Sequence, residues 1–214
     1  TGMGDDYYNT VLTIVTDLSN FPKLSERMHQ GMLNFLFLGR LMIHESGFAS
    51  HPAFQVDGQS LIDRSELFYD GNSQGAIAGG SLASYAQDYT RAVLGVPGMN
   101  YSTLLNRSKD FDDFNIFFLA AYPSGLDRQL LLSAVEMLWE QMEISGGANH
   151  ITKDPYPNTP AKKILFHMGY ADHQVANVSI EVAARSMGTR LRTPATLPGK
   201  AIPDVEPWYD IDTI

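Results

Sequence analysis

Glu66-Leu-Phe-Tyr-Asp-Gly-Asn-Ser-Gln-Gly-Ala-Ile-Ala-Gly-Gly-Ser-Leu-Ala-Ser-Tyr-Ala-Gln87 runs from a short apolar segment, through a glycine-flanked turn, into a stretch of small residues with no linker between them. The first part, Glu66–Asp70, reads as a strand. The last, Ala76–Gln87, reads as a helix. Between them Gly71-Asn72-Ser73-Gln74-Gly75 fits G-x-S-x-G, the pattern of a nucleophile elbow in which a sharp strand-to-helix turn thrusts a serine hydroxyl above the sheet edge. Both glycines are expected to lack side chains because the turn leaves no room for them. Ser73 is then the candidate nucleophile, and the Gln74 N–H, at a helix N-terminus, is a candidate oxyanion donor. The competing reading makes Ser73 an ordinary helix N-cap. Gly79 and Gly80 cost ~1 kcal/mol each in a helix relative to Ala, so a close helix–strand approach is expected to compensate.

Working outward, Arg91–Val96 reads as a second strand, stopped by Pro97-Gly98, and Lys163–Met168 as a third, stopped by Gly169. Helical spacing marks Asp5–Leu18, and also Leu24–Ile43, whose far face turns apolar after residue 33 and which is expected inside the protein. Ser124-Gly-Leu-Asp127 has the form of a capping box. The helix it opens carries Leu130, Leu131, Ala134, Val135, Leu138 and Met142 on one side and is expected to close at Gly146-Gly147. Val175, Val178, Val182, Ala183 and Met187 mark a last helix, ended by Gly188. Strands separated by helices imply an α/β fold with a parallel sheet buried on both faces. Residues 98–162 would form a helical cap, and Thr193–Ile214, with four prolines, an extended surface segment.

Composition narrows the function. The 214 residues, one domain by length, carry 24 acidic and 15 basic side chains, a formal charge of −9, which argues against a nucleic-acid groove. Hydrophobic residues make up 44% and charged ones 18%, so a disordered chain is excluded. The absence of cysteine removes thiolate nucleophiles and Cys-ligated metals. The run Gly31–Ile43 is too short for a membrane span, which needs ~20 apolar residues. Asp110, Asp112 and Asp113 lack the Gly and Glu that a calcium loop requires, since Asn115 and Ala121 stand there; a solvated helix start is expected. His44 and His51 do not have zinc-site spacing, and no phosphate-binding glycine loop occurs. Neither a metal nor a cofactor is expected.

The turn Tyr69–Gly75, together with Asn149-His-Ile-Thr-Lys-Asp-Pro-Tyr-Pro-Asn-Thr-Pro160 and Ile164-Leu-Phe-His-Met-Gly-Tyr-Ala-Asp-His-Gln-Val-Ala-Asn177, resembles the α/β-hydrolase superfamily. It is most similar to a poorly characterised bacterial group of serine esterase or lipase-like proteins. The likeness runs from Gly2 to about Arg192 and is sharpest at the elbow and at Gly169–Val175. It implies a serine hydrolase acting on small-molecule esters, and it maps the triad acid onto Asp172, after the strand two beyond the nucleophile's. Strand-end placement supports Asp172 independently, because catalytic groups in open α/β sheets gather at the carboxyl ends of strands. The alternative role for Asp172 is a cap on the following helix.

The resemblance orders the triad Ser, acid, His, yet only His173 follows Asp172, and adjacent side chains in an extended turn point apart. His167 is expected in the core. His29, His44 and His51 are expected at a helix surface or in its following loop, and His150 is expected to fix a loop through a backbone hydrogen bond. The resemblance also implies that the three strands are the family's fifth, sixth and seventh. The chain would then be a fragment, inactive alone, with the remaining segments of the same fold as its partner and the histidine beyond residue 214. Thr1 in place of Met and the absence of a signal sequence leave the compartment open, with an extracellular or periplasmic one slightly preferred. The alternative function is a non-catalytic hydrolase-like binding scaffold.

Overall fold

A computed structural model describes residues 4–195 and 209–214. The secondary structure follows the local chemistry closely. Helix α1 (Tyr7–Thr16) is followed by α2 (Pro22–Ile43), which starts on a proline whose missing N–H costs nothing at a first helical turn. A two-residue antiparallel pair, β1 (Gln55–Val56) and β2 (Gln59–Ser60), precedes β3 (Tyr69–Asn72), α3 (Gln74–Tyr85) and β4 (Arg91–Gly95). Four helices then intervene: α4 (Tyr101–Leu104), α5 (Asp112–Ala121), α6 (Gly125–Trp139) and α7 (Ile144–Thr152). Strand β5 (Lys163–His167) and helix α8 (Asn177–Met187) complete the order, and Gly188 ends α8 in the left-handed conformation at φ 65°. Ser124 caps α6 by accepting the Asp127 N–H at 3.3 Å.

The three main strands form one parallel sheet in the order β3-β4-β5. Its register sets Tyr69, Ala92 and Ile164 in one row and Gly71, Leu94 and Phe166 in the next, all on the same face. Helices α3, α7 and α8 cover that face: Ala83, Ala86, Ile144, Ala148, Ile151, Ala183 and Met187 pack with Ala92, Ile164 and Phe166. The α3–α7 approach is close because Gly80 and Gly147 face the partner helix. A Cβ on Gly80 would stand 2.3 Å from Ile144 Cγ1, and one on Gly147 2.8 Å from Ser84. Gly79 does the same toward the sheet, where a Cβ would lie 2.5 Å from the Tyr69 ring. The expected helix–strand approach therefore belongs to Gly79, while Gly80 serves helix on helix.

Burial of the sheet on both faces is not what the fold shows. Lys163, Leu165 and His167 of β5 and Asp70 and Asn72 of β3 are exposed on the opposite face, because all three covering helices lie on one side. The apolar run Ile164-Leu-Phe166 reads as doubly buried only until its alternation is seen against real neighbours. His167 is accordingly on the open face rather than in the core.

Helix α2 is also not interior along its length. Met28 and Met32 are buried, but Leu33, Phe35, Phe37, Leu38, Leu41 and Met42 are exposed, Phe37 at 62%. Its first half packs with α1, α5 and α6 around Phe21, Phe114, Phe118, Leu132 and Trp139; its second half runs past that core. Gly146 and Gly147 do not close α6, which ends at Trp139. They lie inside α7, separated from α6 by a 3-10 turn over Glu140–Met142. The buried face of α6 is Leu132, Val135 and Trp139, whereas Leu130 is exposed. Within residues 98–162 the helices divide: α4, α5 and α6 gather with α1 above the strand ends, while α7 belongs to the layer under the sheet. The proline-bearing tail lies largely outside the described residues; at its end Leu191 bridges Thr213.

Candidate active site

Ser73 sits between β3 and α3 with φ 54° and ψ −122°. A non-glycine residue at positive φ is uncommon, and strain of this sort, of order 1–3 kcal/mol, persists only where surrounding structure enforces it. The enforcement is visible. The Ser73 N–H donates to Gly95 O of β4 at 2.8 Å, and the Ser73 carbonyl accepts from Ala76 N and Ile77 N at 2.8 and 3.0 Å. Tyr69 Oη donates to Gly75 O at 2.6 Å, tying the strand to the first turn of the helix. Gly71 is required at this junction, since a Cβ there would meet Gly75 O at 2.3 Å. Gly75 is not: a Cβ on it would have open space. The collision argument thus holds for the first glycine and fails for the second.

Ser73 is the N-cap residue of α3, but its hydroxyl makes no capping hydrogen bond to the helix. Gln74 begins the helix, which leaves its N–H among the first-turn amides that have no intrahelical partner. Both residues line a cavity of about 200 Å³ whose walls are mostly apolar, with Phe21, Phe111, Phe114 and Trp139 among them and Ser108, Asp110 and Gln174 as further polar side chains. Phe21 meets Trp139 edge-on at 4.6 Å, and Tyr101 stacks on the same indole at 4.8 Å. A cavity of 150 Å³ lined this way holds a benzene-sized group, so the space here suits a larger apolar moiety.

Asp172 follows β5 at the same carboxyl edge of the sheet as Ser73 and two strands away. Its Oδ1 accepts from Gln174 N at 2.7 Å and Val175 N at 3.1 Å, an Asx turn leading into α8. The capping role is therefore real, and it leaves Oδ2 for another partner. The loop is braced by Asn177, whose Nδ2 donates to Gly169 O at 2.6 Å and whose Oδ1 accepts from Ala171 N at 2.8 Å. Asn177 braces the Asp172 loop as Tyr69 braces the strand-to-helix turn at Ser73.

None of the six histidines is hydrogen-bonded to Ser73 or Asp172. His173 is exposed and engages through its carbonyl, which accepts from Lys109 N at 2.9 Å. His44 and His51 accept from Ser46 N and Ala53 N within their own turns. His150 Nδ1 lies 2.6 Å from Asp154 O and fixes its loop as the sequence reading expects. Asp112 and Asp113 stand in the first turn of α5, with Lys109 paired to Asp112 at 2.6 Å; Asp110 instead accepts from Gln174 Nε2 at 2.8 Å. Among the described residues no group of three His, Asp or Glu side chains could hold a metal ion, and no helix is long and apolar enough to cross a membrane.

Sequence reasoning missed a polar cluster beside the cavity. Tyr101 Oη donates to Gln74 Oε1, and behind Tyr101 lie Glu136 and the fully buried Glu143. A partial signal for it exists: Glu136 falls beside Val135 and one turn from Leu132 and Trp139 on the buried side of α6, where a carboxyl is out of place, whereas Glu143 stands at the N-cap of α7. No protein-family model, curated protein or solved structure matches this chain.

Proposed function

We propose that this chain carries the nucleophile-bearing part of a serine hydrolase of α/β-hydrolase type, acting on esters with an apolar acyl group. The reading rests on one observation above the others: Ser73 is held at φ 54°, ψ −122° on a strand-to-helix junction, uncapped and facing an apolar cavity. In this mechanism Ser73 Oγ attacks the ester carbonyl, the Gln74 N–H stabilises the developing oxyanion, and the apolar walls take the acyl chain. Asp172 Oδ2 orients the imidazole that accepts the serine proton and stabilises the imidazolium that forms. No histidine hydrogen-bonds Ser73 or Asp172, so hydrolysis by residues 1–214 alone is expected to be weak or absent.

The test uses a fluorophosphonate probe and p-nitrophenyl esters of increasing chain length. Covalent labelling mapped to Ser73 in the presence of added imidazole as a stand-in base, lost in Ser73→Ala, supports the reading; labelling elsewhere, or none even with added imidazole, overturns it. The second reading, a binding scaffold that keeps the elbow without catalysis, is favoured by the missing imidazole. It expects the cavity to bind apolar ligands in a protein that no serine probe labels.

A further inference from the structure

The polar cluster behind Tyr101 can be read from its hydrogen bonds. Glu136 Oε2 accepts the Ser102 N–H at 2.8 Å, and the Glu143 carboxyl accepts the Tyr101 N–H. The two glutamates together take up the first amides of α4, whose N-cap residue, Asn100, contributes no side-chain bond. Ser145 Oγ donates to Glu143 Oε1 at 2.5 Å. That leaves Glu136 Oε1 and Glu143 Oε2, both buried and neither reached by an N–H or hydroxyl donor. The two carboxyls are neighbours that serve adjacent residues of α4, and Glu136 is the side chain that acts on the Glu143 carboxyl. A contact between two carboxyl oxygens is a hydrogen bond only when a proton sits in it.

We propose that Glu136 and Glu143 share one proton and act as a positioning pair, seating Tyr101 so that its phenol holds the Gln74 side chain beside Ser73. The chain of contacts is continuous. The pair grips the Tyr101 and Ser102 amides, the Tyr101 ring is pressed against Trp139, and its hydroxyl ends on Gln74. Chemistry supports the shared proton. Burial, and then the neighbouring Glu136, push the Glu143 carboxyl far above the usual carboxylate range. The titratable groups facing it are Glu136 from α6 and the Tyr101 phenol from α4; Tyr7 of α1 faces Tyr101, and among the described residues no cation acts on Glu143. Losing the proton would put two negative carboxylates in contact within a low-dielectric pocket, and one side chain would have to leave. Tyr101 would then lose its seat, and Gln74 its tether. The role in positioning Gln74 for catalysis rests on the function proposed above; the shared proton and the seating of Tyr101 do not.

Trp139 supplies the readout, because it stacks on Tyr101. In a Trp208→Phe background, which leaves Trp139 as the only tryptophan, its emission is followed from neutral to alkaline pH. The expected result is a transition well above the ordinary carboxylate range that disappears in Glu143→Gln, whose amide keeps the contacts and has no such proton to lose. Infrared spectra at neutral pH should show a protonated-carboxyl stretch that Glu143→Gln removes. Should that variant fold poorly, Glu136→Gln, which removes the carboxylate–carboxylate contact and leaves Glu143 buried, is expected to move the same transition to lower pH. Equal pH profiles in the parent and a folded variant, or no protonated-carboxyl band, would overturn the proposal. Fluorophosphonate labelling of Ser73 separates the two readings. A severalfold loss of labelling rate across the same pH range, absent in Glu143→Gln, supports positioning. A tryptophan transition with no labelling in any variant refutes the link to Ser73 and, with it, the nucleophile reading.

Discussion

Replacing Gly71 by Ala attacks the elbow at its narrowest point, and replacing Gly75 by Ala tests the other half of the same motif. A Cβ on Gly71 would lie 2.3 Å from Gly75 O, 2.7 Å from Gly75 C and 2.7 Å from Tyr69 Oη. Two of these atoms are backbone, so relief requires strand and helix to part by about 1 Å, at an overpacking cost of ~1–3 kcal/mol. That separation also breaks the Tyr69 Oη bond to Gly75 O, worth about 1 kcal/mol. A total of ~2–4 kcal/mol in a protein of this size lowers Tm by roughly 6–12 °C. Gly75→Ala meets nothing within 4 Å and replaces the poorest ordinary helix former by the best, so it should be neutral or stabilise by up to ~1 kcal/mol. Urea and thermal unfolding of the two variants decide the matter. A Gly71→Ala protein within ~0.5 kcal/mol of the parent, or a Gly75→Ala protein as damaged as Gly71→Ala, would refute the steric reasoning, since surface-like tolerance is the outcome expected where no clash exists.

Ser73→Gly relieves a backbone that Ser73→Ala leaves strained at φ 54°, so the Gly variant should be the more stable of the two by ~0.5–2 kcal/mol in parallel denaturant titrations. One-sided cover of the sheet predicts unequal costs on its two faces. Leu94→Ala, at a fully buried position, should cost ~2–5 kcal/mol and Leu165→Ala, 53% exposed, under about 1 kcal/mol by chemical unfolding. Glu143 also makes stability depend on pH. Its folded-state value is raised from an ordinary 4.5 to about 9, so the stabilisation is complete below the unfolded value and is lost as pH rises between these limits. The stability advantage of Glu143→Gln over the parent should therefore grow across that window, measured as Tm against pH; a constant offset would contradict it.

The strand-turn-helix at residues 66–87 and the strands near 91 and 163 are legible in sequence, because glycine spacing, β-rich apolar runs and Pro or Gly stops act over a few residues. The Ser124 cap and the Gly188 terminator are legible for the same reason: each satisfies backbone groups within one turn. The side on which an apolar residue ends is not local. Leu165 and Phe37 look as buried in the sequence as Phe166 and Met28 do, and only the placement of α3, α7 and α8 on one face of the sheet, and of α1, α5 and α6 along half of α2, separates them.

Ser73, Gln74 and Asp172 could be chosen from sequence, but their common edge depends on parallel pairing across the intervening helices. The apolar cavity, the lack of any histidine hydrogen bond to Ser73 or Asp172 and the Glu136–Glu143 pair are decided by tertiary packing alone. A short-range pattern can specify a turn because the groups it must satisfy are its own neighbours. Burial, cavities and shared protons are set by contacts between residues far apart in the chain, and those distances exist only once the elements have packed.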